Sequence, residues 1–205
     1  MNPGKPQIVK CPFCGEAKEL MSLMSGNTFG ARYWSDNKRD APMLPQVSYV
    51  QKCPKCGMYY IKSRQDVVYA ADGFCLELGK LSYPEMKEAF AQLSNEGFND
   101  LDEECSVRLL MLHTYNDFFY RGESDKLPSE TENEFIVKNI HWLIENWAQD
   151  NILKAELYRE AGDMDEAIEV LDNVNITEEF LVKIKNEIVR LAKVGDSSVF
   201  EITNL

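Results

Sequence analysis

Two patterns of apolar and polar positions divide the chain. Up to about residue 65 the apolar residues come in short runs broken by Gly and Pro, the signature of brief strands and turns. Within that part, residues 58–62 (Met58, Tyr59, Tyr60, Ile61, Lys62) read as a returning strand. Residues 66–81 show no clear period. From there on the apolar residues recur every three to four positions, which predicts helices. Ser82 with Glu85 three residues on predicts a capped helix start, Pro84 being tolerated in the first turn, and the helix runs to about Leu93, ending before Gly97. Val107, Leu110, Met111, Tyr115, Phe118 and Phe119 predict a second helix over 102–120 that Gly122 stops. Ser129 and Glu132 cap a third, through Ile136, Ile140, Leu143, Ile144 and Trp147. Residues 155–171 read as helix, Gly turn, helix, and a last helix capped within 175–178 carries Phe180, Ile184, Ile188 and Leu191. The expectation is an α+β chain: a small β domain over 1–65 and an all-helical, antiparallel domain over 66–205.

The cysteines give the first part its chemistry. Cys11, Pro12, Phe13, Cys14, Gly15 and Cys53, Pro54, Lys55, Cys56, Gly57 repeat one pattern, Cys-Pro-x-Cys-Gly. Two thiolates three residues apart on a tight turn can face one ion, with proline setting φ for the turn and glycine allowing the positive φ that closes it. Two such turns supply four sulfurs, a closed tetrahedral site. Cys11, Cys14, Cys53 and Cys56 are therefore the expected metal ligands, for zinc, with iron in the same cage as the alternative. A site with four thiolates leaves no position for water, so its expected task is folding energy for a segment too small to bury a core. Two disulfides would suit a secreted chain, and no leader is visible at its start. A redox dithiol would accompany a βαβ pattern, which is missing. Cys75 and Cys105 lie outside the pattern and are expected as small buried apolar residues.

Residues 8–62 thereby resemble zinc ribbons and rubredoxin-like knuckles, with one departure: 38 residues separate Cys14 from Cys53, so the ribbon carries an inserted loop. Residues 155–171 resemble one tetratricopeptide repeat, with Ala155 and Ala167 as the small residues between paired helices, Tyr158 packing the first, Gly162 in the turn and Leu171 filling the second. The flanking helices match that repeat poorly. A ribbon ahead of a helical-repeat tail resembles bacterial proteins of that architecture, and the resemblance implies an architecture without an activity.

The inserted loop, 25–45, sets aromatics beside basic and small residues and predicts a tight turn at Ser35, Asp36 and Asn37. Arg32, Tyr33, Trp34, Lys38 and Arg39 could form a ligand or partner surface, the rings for stacking and the cations for anions. Alternatively Phe29, Tyr33 and Trp34 build the ribbon's small core, which the commoner fate of aromatic residues favours.

The 34 acidic and 22 basic side chains give a net charge of −12, which argues against a general nucleic-acid coat. The charge is uneven: +6 over 1–65 and −18 over 66–205. Zinc with four thiolates would trim the first figure to about +4. No run approaches 18 apolar residues. Phosphate-loop, His-Glu-x-x-His and Gly-x-Ser-x-Gly patterns are absent. The two histidines, His113 with Asp117 one turn on and His141, read as satisfied helix residues. The expectation is a cytoplasmic, non-catalytic metal-binding protein whose helical surface binds a protein or peptide. Nucleic-acid binding by the ribbon is the alternative, and a rubredoxin-like electron carrier a further one.

Overall fold

The computed structural model describes residues 1–203. Nine short strands precede six helices among them: β1 (Asn2–Pro3), β2 (Gln7–Lys10), β3 (Ala17–Leu20), β4 (Leu23–Ser25), β5 (Arg32–Tyr33), β6 (Arg39–Asp40), β7 (Val50–Lys52), β8 (Tyr59–Ile61), β9 (Val68–Tyr69), α1 (Tyr83–Glu96), α2 (Leu101–Phe119), α3 (Glu130–Asn146), α4 (Asn151–Ala161), α5 (Met164–Asp172) and α6 (Glu179–Lys193). The class is α+β. The chain forms two compact units that are not consecutive in sequence. The first comprises Met1–Ala31 and Asp40–Met111, the second Arg32–Arg39 and Leu112–Leu205. The division does not fall at residue 65. The ribbon's unit takes in α1, which packs beside β8, and the first part of α2, where Glu103 pairs with Arg64 (2.5 Å), whereas a segment of the inserted loop joins the later helices.

In the first unit, β2 lies between β3 and β9, antiparallel to both, in register Val9 with Lys18 and Ile8 with Val68. β7 and β8 form a second antiparallel pair, Val50 opposite Ile61 and Lys52 opposite Tyr59, so the strand expected at 58–62 is present. Residues 66–81, without a period in sequence, hold β9 and otherwise irregular chain. One buried cluster joins Val9, Cys11, Leu20, Cys53 and Tyr60, with Val47 against it, and Val50, Ile61, Met86, Leu93 and Val107 of the same unit are fully buried as well. α1 completes this unit through polar contacts to β8. The Gln92 side chain accepts from the Tyr59 N–H (3.0 Å) and donates to the Tyr59 carbonyl (2.8 Å), acting as a substitute strand partner. Tyr59 Oη donates to Glu88 (2.7 Å), and Lys52 pairs with Glu85 (2.9 Å).

The helix boundaries follow the local signals. Glu85 accepts from both the N–H and the hydroxyl of Ser82, and Glu132 does the same for Ser129. Each such cap is worth about 1 kcal/mol. The last helix differs from expectation. Its cap residue is Glu178, without a side-chain bond to the first turn, so neither Asn175 nor Thr177 caps it.

In the second unit, Asp150 caps α4 by accepting from Ile152 and Leu153 N–H (2.9 and 3.0 Å). Gly162 ends that helix at φ 90°, a left-handed conformation that suits glycine, and α5 returns beside it. Ala155, Leu171, Ile184 and Ile188 form the core of α4, α5 and α6, with Ile152, Val170, Leu181, Val189, Phe200 and Ile202 around it. The helix–Gly–helix of residues 155–171 is thus present, with Ala155 and Ala167 fully buried and Tyr158 partly so. No described helix is long and apolar enough to cross a membrane.

Candidate metal centre and the buried polar cluster

The two Cys-Pro-x-Cys-Gly segments fold alike. Gly15 N–H donates to the Cys11 carbonyl (2.9 Å) and Gly57 N–H to that of Cys53 (3.0 Å). Both glycines lie at positive φ, 72° and 74°, so the glycine is required by the turn. The Cys11 and Cys53 N–H groups donate onward to Glu16 and Met58 carbonyls (2.8 and 2.9 Å), which returns the chain antiparallel to itself. Cys11 and Cys53 are buried; Cys14 and Cys56 lie at the surface.

Their four Sγ atoms all lie within 4.8 Å of one another, with Cys11 to Cys56 and Cys14 to Cys53 at 3.6 Å. A disulfide needs about 2.05 Å, so all four are free thiols. Four sulfurs at about 2.3 Å from one ion stand about 3.8 Å apart, close to the spacing seen. Among the described residues this is the one group of three or more Cys, His, Asp or Glu with metal-holding geometry.

The thiols are electrostatically unequal. Burial works against a thiolate at Cys53, but the amides of Cys56 and Lys55 and the neighbouring thiols bring it down to about 6. At Cys56 the Met58 amide lowers the value, and burial with the other three thiols outweighs it, pushing it up to about 12. The Cys53 thiolate thus forms readily, while Cys14 and Cys56 are pushed the other way, and a cation among the sulfurs would favour the charged form of each.

Tyr60 sits in the core next to these sulfurs, and its hydroxyl is buried without a hydrogen-bond partner. Burial, then the charge of the cysteines, pushes it up to about 12. An unpartnered buried hydroxyl is a cost. Tyr60→Phe is therefore expected to leave stability unchanged or to raise it by up to about 1 kcal/mol, read by denaturant titration of the metal-loaded protein.

The inserted loop does not supply the ribbon's core. Phe29 is 85% exposed, and Tyr33 and Trp34 lie with the second unit, because the ribbon core is already closed by Val9, Leu20, Tyr60 and the two buried cysteines. Arg32–Arg39 forms a hairpin with Asn37 at φ 64° in its turn, where the sequence predicts one. It lies along residues 198–203: Ser35 N–H donates to the Phe200 carbonyl (2.9 Å), and Ile202 N–H to that of Tyr33 (2.8 Å). Of the candidate ligand residues, Arg32, Tyr33 and Arg39 are exposed and Trp34 and Lys38 partly buried, and several make contacts within the second unit. Arg32 pairs with Glu201 (2.8 Å) and lies over the Trp34 ring (4.8 Å), Arg121 lies over the same ring (4.7 Å), and Lys38 pairs with Asp117. Arg39 is exposed.

The hairpin also carries a residue that sequence reasoning passed over as a turn former. Asp36 is completely buried. Its Oδ2 accepts from Arg121 and from Asn116 Nδ2 (2.9 Å), and its carbonyl faces His113 Nε2 (3.1 Å). Asn116 donates as well to Glu160 Oε2 (2.9 Å). His113 and Asp117, expected to share a helix face, both meet the hairpin instead of each other. His141 pairs with Asp163 (2.5 Å). A second buried pair anchors the same unit: Arg159 holds Glu156 (2.8 and 2.5 Å) and donates to the Asp196 and Ser198 carbonyls. Cys105 is buried as expected, and Cys75 is half-buried with its Sγ against the Glu19 carbonyl (3.5 Å).

Comparison with protein-family models, curated proteins and solved structures gives no match to this chain.

Proposed function

We propose that Cys11, Cys14, Cys53 and Cys56 hold a structural zinc ion, and that the protein is a non-catalytic adaptor whose helices bind a protein or peptide. The observation that carries the metal half is the convergence of four free sulfurs from two equivalent turns, a full tetrahedral donor set. Zinc is favoured over iron because the site's evident task is to close a small core, which needs no redox change. Free thiols also suit a reducing compartment, the cytoplasm. The partner-binding half rests on the repeat-like helix pair at residues 155–171, with Ala155 and Ala167 buried between the helices.

Nucleic-acid binding is the less favoured reading. Three of the ten basic residues in 1–65 belong to the second unit, and the first unit as folded holds 10 Lys/Arg against 13 Asp/Glu. Elemental analysis of natively purified protein tests the metal: one zinc per chain is expected. A coloured, iron-loaded protein would move the site to the electron-carrier reading, and a metal-free protein with all six thiols titratable would remove the site.

A further inference from the structure

The cluster around Asp36 contains more carboxylates than cations. Three carboxyl groups converge, Asp36 from the hairpin Arg32–Arg39, Asp117 from α2 and Glu160 from α4, and two cations answer them. Arg121 donates from one nitrogen to Asp36 and from another to Asp117 (2.8 Å). Lys38, from the hairpin, pairs with Asp117. The remaining charged neighbours are matched elsewhere: Arg159 is held by Glu156 and by the Asp196 and Ser198 carbonyls. His113 meets a carbonyl oxygen of the hairpin, a contact that a neutral imidazole makes by donating from Nε2.

Among the described residues Glu160 makes no ion pair of its own, and the one cation that acts on it, Arg159, is held by Glu156. Glu160 is nine-tenths buried, its Oε2 shares the Asn116 amide with Asp36, and its Oε1 has no partner. A buried carboxylate in that position would be an uncompensated charge beside another carboxylate, which proteins avoid by neutralising one of the two. We propose that Glu160 is a proton-binding site, held as the neutral acid at neutral pH, and that its proton secures the hairpin Arg32–Arg39 against α2 and α4.

Electrostatics agree with this assignment. Burial, then the Asp36 and Glu156 carboxylates, pushes Glu160 well above the ordinary carboxylate range. Burial acts the same way on Asp36, but His113, in the acid range where it is protonated, and Arg121 outweigh it and hold that group below the range. The two shifts run in opposite directions, so the proton of this pair belongs on Glu160 and the charge on Asp36. With Glu160 raised, the seated hairpin binds one proton more than the released one. Its hold is at full strength below the ordinary carboxylate pKa and weakens as pH rises toward the ionisation of Glu160. The neighbours act in other windows. Burial holds His113 below its ordinary value, so His113 opposes seating only below about pH 6.5, and Asp36 matters only in stronger acid. Above pH 7 the slope belongs to Glu160.

Two measurements on the whole protein test the proposal. In ¹³C-labelled wild type, the through-bond assigned Glu160 carboxyl carbon is expected at the shift of a protonated acid at pH 7, moving to the ionised shift only at higher pH. An ionised shift at pH 7 overturns the proposal, whether or not any variant folds. Amide exchange gives the coupling. Protection at Trp34 and Asn37, corrected for intrinsic exchange, should fall about tenfold per pH unit above pH 7 while one proton is released on opening. In Glu160→Gln, a neutral side chain that can still accept from Asn116, that slope should vanish while protection at pH 7 persists. The same slope in both proteins overturns the link between this proton and the hairpin.

Discussion

The double variant Cys11→Ser, Cys53→Ser is expected to lose its metal and unfold the ribbon, while most of the helical circular dichroism survives. The first part follows from where these two sulfurs sit. They are the buried pair of the four, one from each turn, and both belong to the core with Val9, Leu20 and Tyr60. Each replacement removes a ligand and places a hydroxyl among apolar side chains. Structural zinc contributes an apparent binding free energy of about 10–16 kcal/mol at neutral pH, against about 5–15 kcal/mol for the whole stability of a typical domain. The cluster around the site loses two of its five buried members together with the ion, and has no neighbour that replaces the four metal–sulfur bonds. The second part follows from the division of the chain, since α3, α4, α5 and α6 belong to the other unit and α4, α5 and α6 share a core of their own. Helical signal should therefore fall by no more than the share of α1 and the first part of α2. Metal analysis and far-ultraviolet dichroism of the same sample check both parts. Metal retained by the double variant would contradict the ligand assignment, and complete loss of helix would contradict the independence of the second core.

Arg121→Leu is expected to be the most damaging single change outside the ribbon, at about 3–5 kcal/mol. Leucine keeps much of the apolar stem but leaves Asp36 fully buried with the Asn116 amide as its one remaining side-chain donor. A buried charge that loses its partner costs far more than the pair contributed while intact. Asp117 would retain Lys38, so the loss falls on Asp36. The identity of the damage is checked by a second substitution. Adding Asp36→Asn to Arg121→Leu removes the stranded charge and should recover a large part of the stability in a denaturant midpoint measurement. Equal stability of the single and double variants would show that the cost came from packing over Trp34 rather than from the charge.

The features legible in the sequence are those that act over a few residues. The Cys-Pro-x-Cys-Gly turns, the Ser82 and Ser129 caps and the Gly162 turn each put cause and effect within three or four positions, and the structure places all of them where the pattern does. The helices between them followed from apolar period alone. The hairpin was not legible as part of the helical unit. Ser35, Asp36 and Asn37 correctly announce a turn, and nothing in those residues says that the turn is buried, because the partners of Asp36 lie 80 and 85 positions on. Arg121 reads as a solvated cation just past a helix end. Glu160 and Arg159 read as the polar face of a helix and are both buried. Trp34, between Arg32 and Lys38 in a Gly- and Pro-rich loop, was the one hint of packing, and it favoured the ribbon's core, whereas the structure places it with the second unit. Charge summed along the chain misled for the same reason, since Arg32, Lys38 and Arg39 count toward one stretch of sequence and fold into another unit.

The order in which a ribosome makes this chain gives the hairpin a history. Asp36 precedes Arg121 by 85 residues, which at about 5–20 residues per second is an interval of about 4–17 s. Cys53 and Cys56 appear early in that interval, so the ribbon can close on its metal while the partners of Asp36 do not yet exist. The residues between Cys14 and Cys53 then stand as a tethered loop whose ends the metal has already brought together. The chain from Cys56 to Arg121 must still fold back to reach Asp36, and because closure cost grows only with the logarithm of length, the closed loop confines Asp36 without cheapening that search by much. The two knuckle turns are thus complete long before the hairpin has anything to pair with, and the Asp36 carboxylate stays in water until Asn116 and Arg121 arrive.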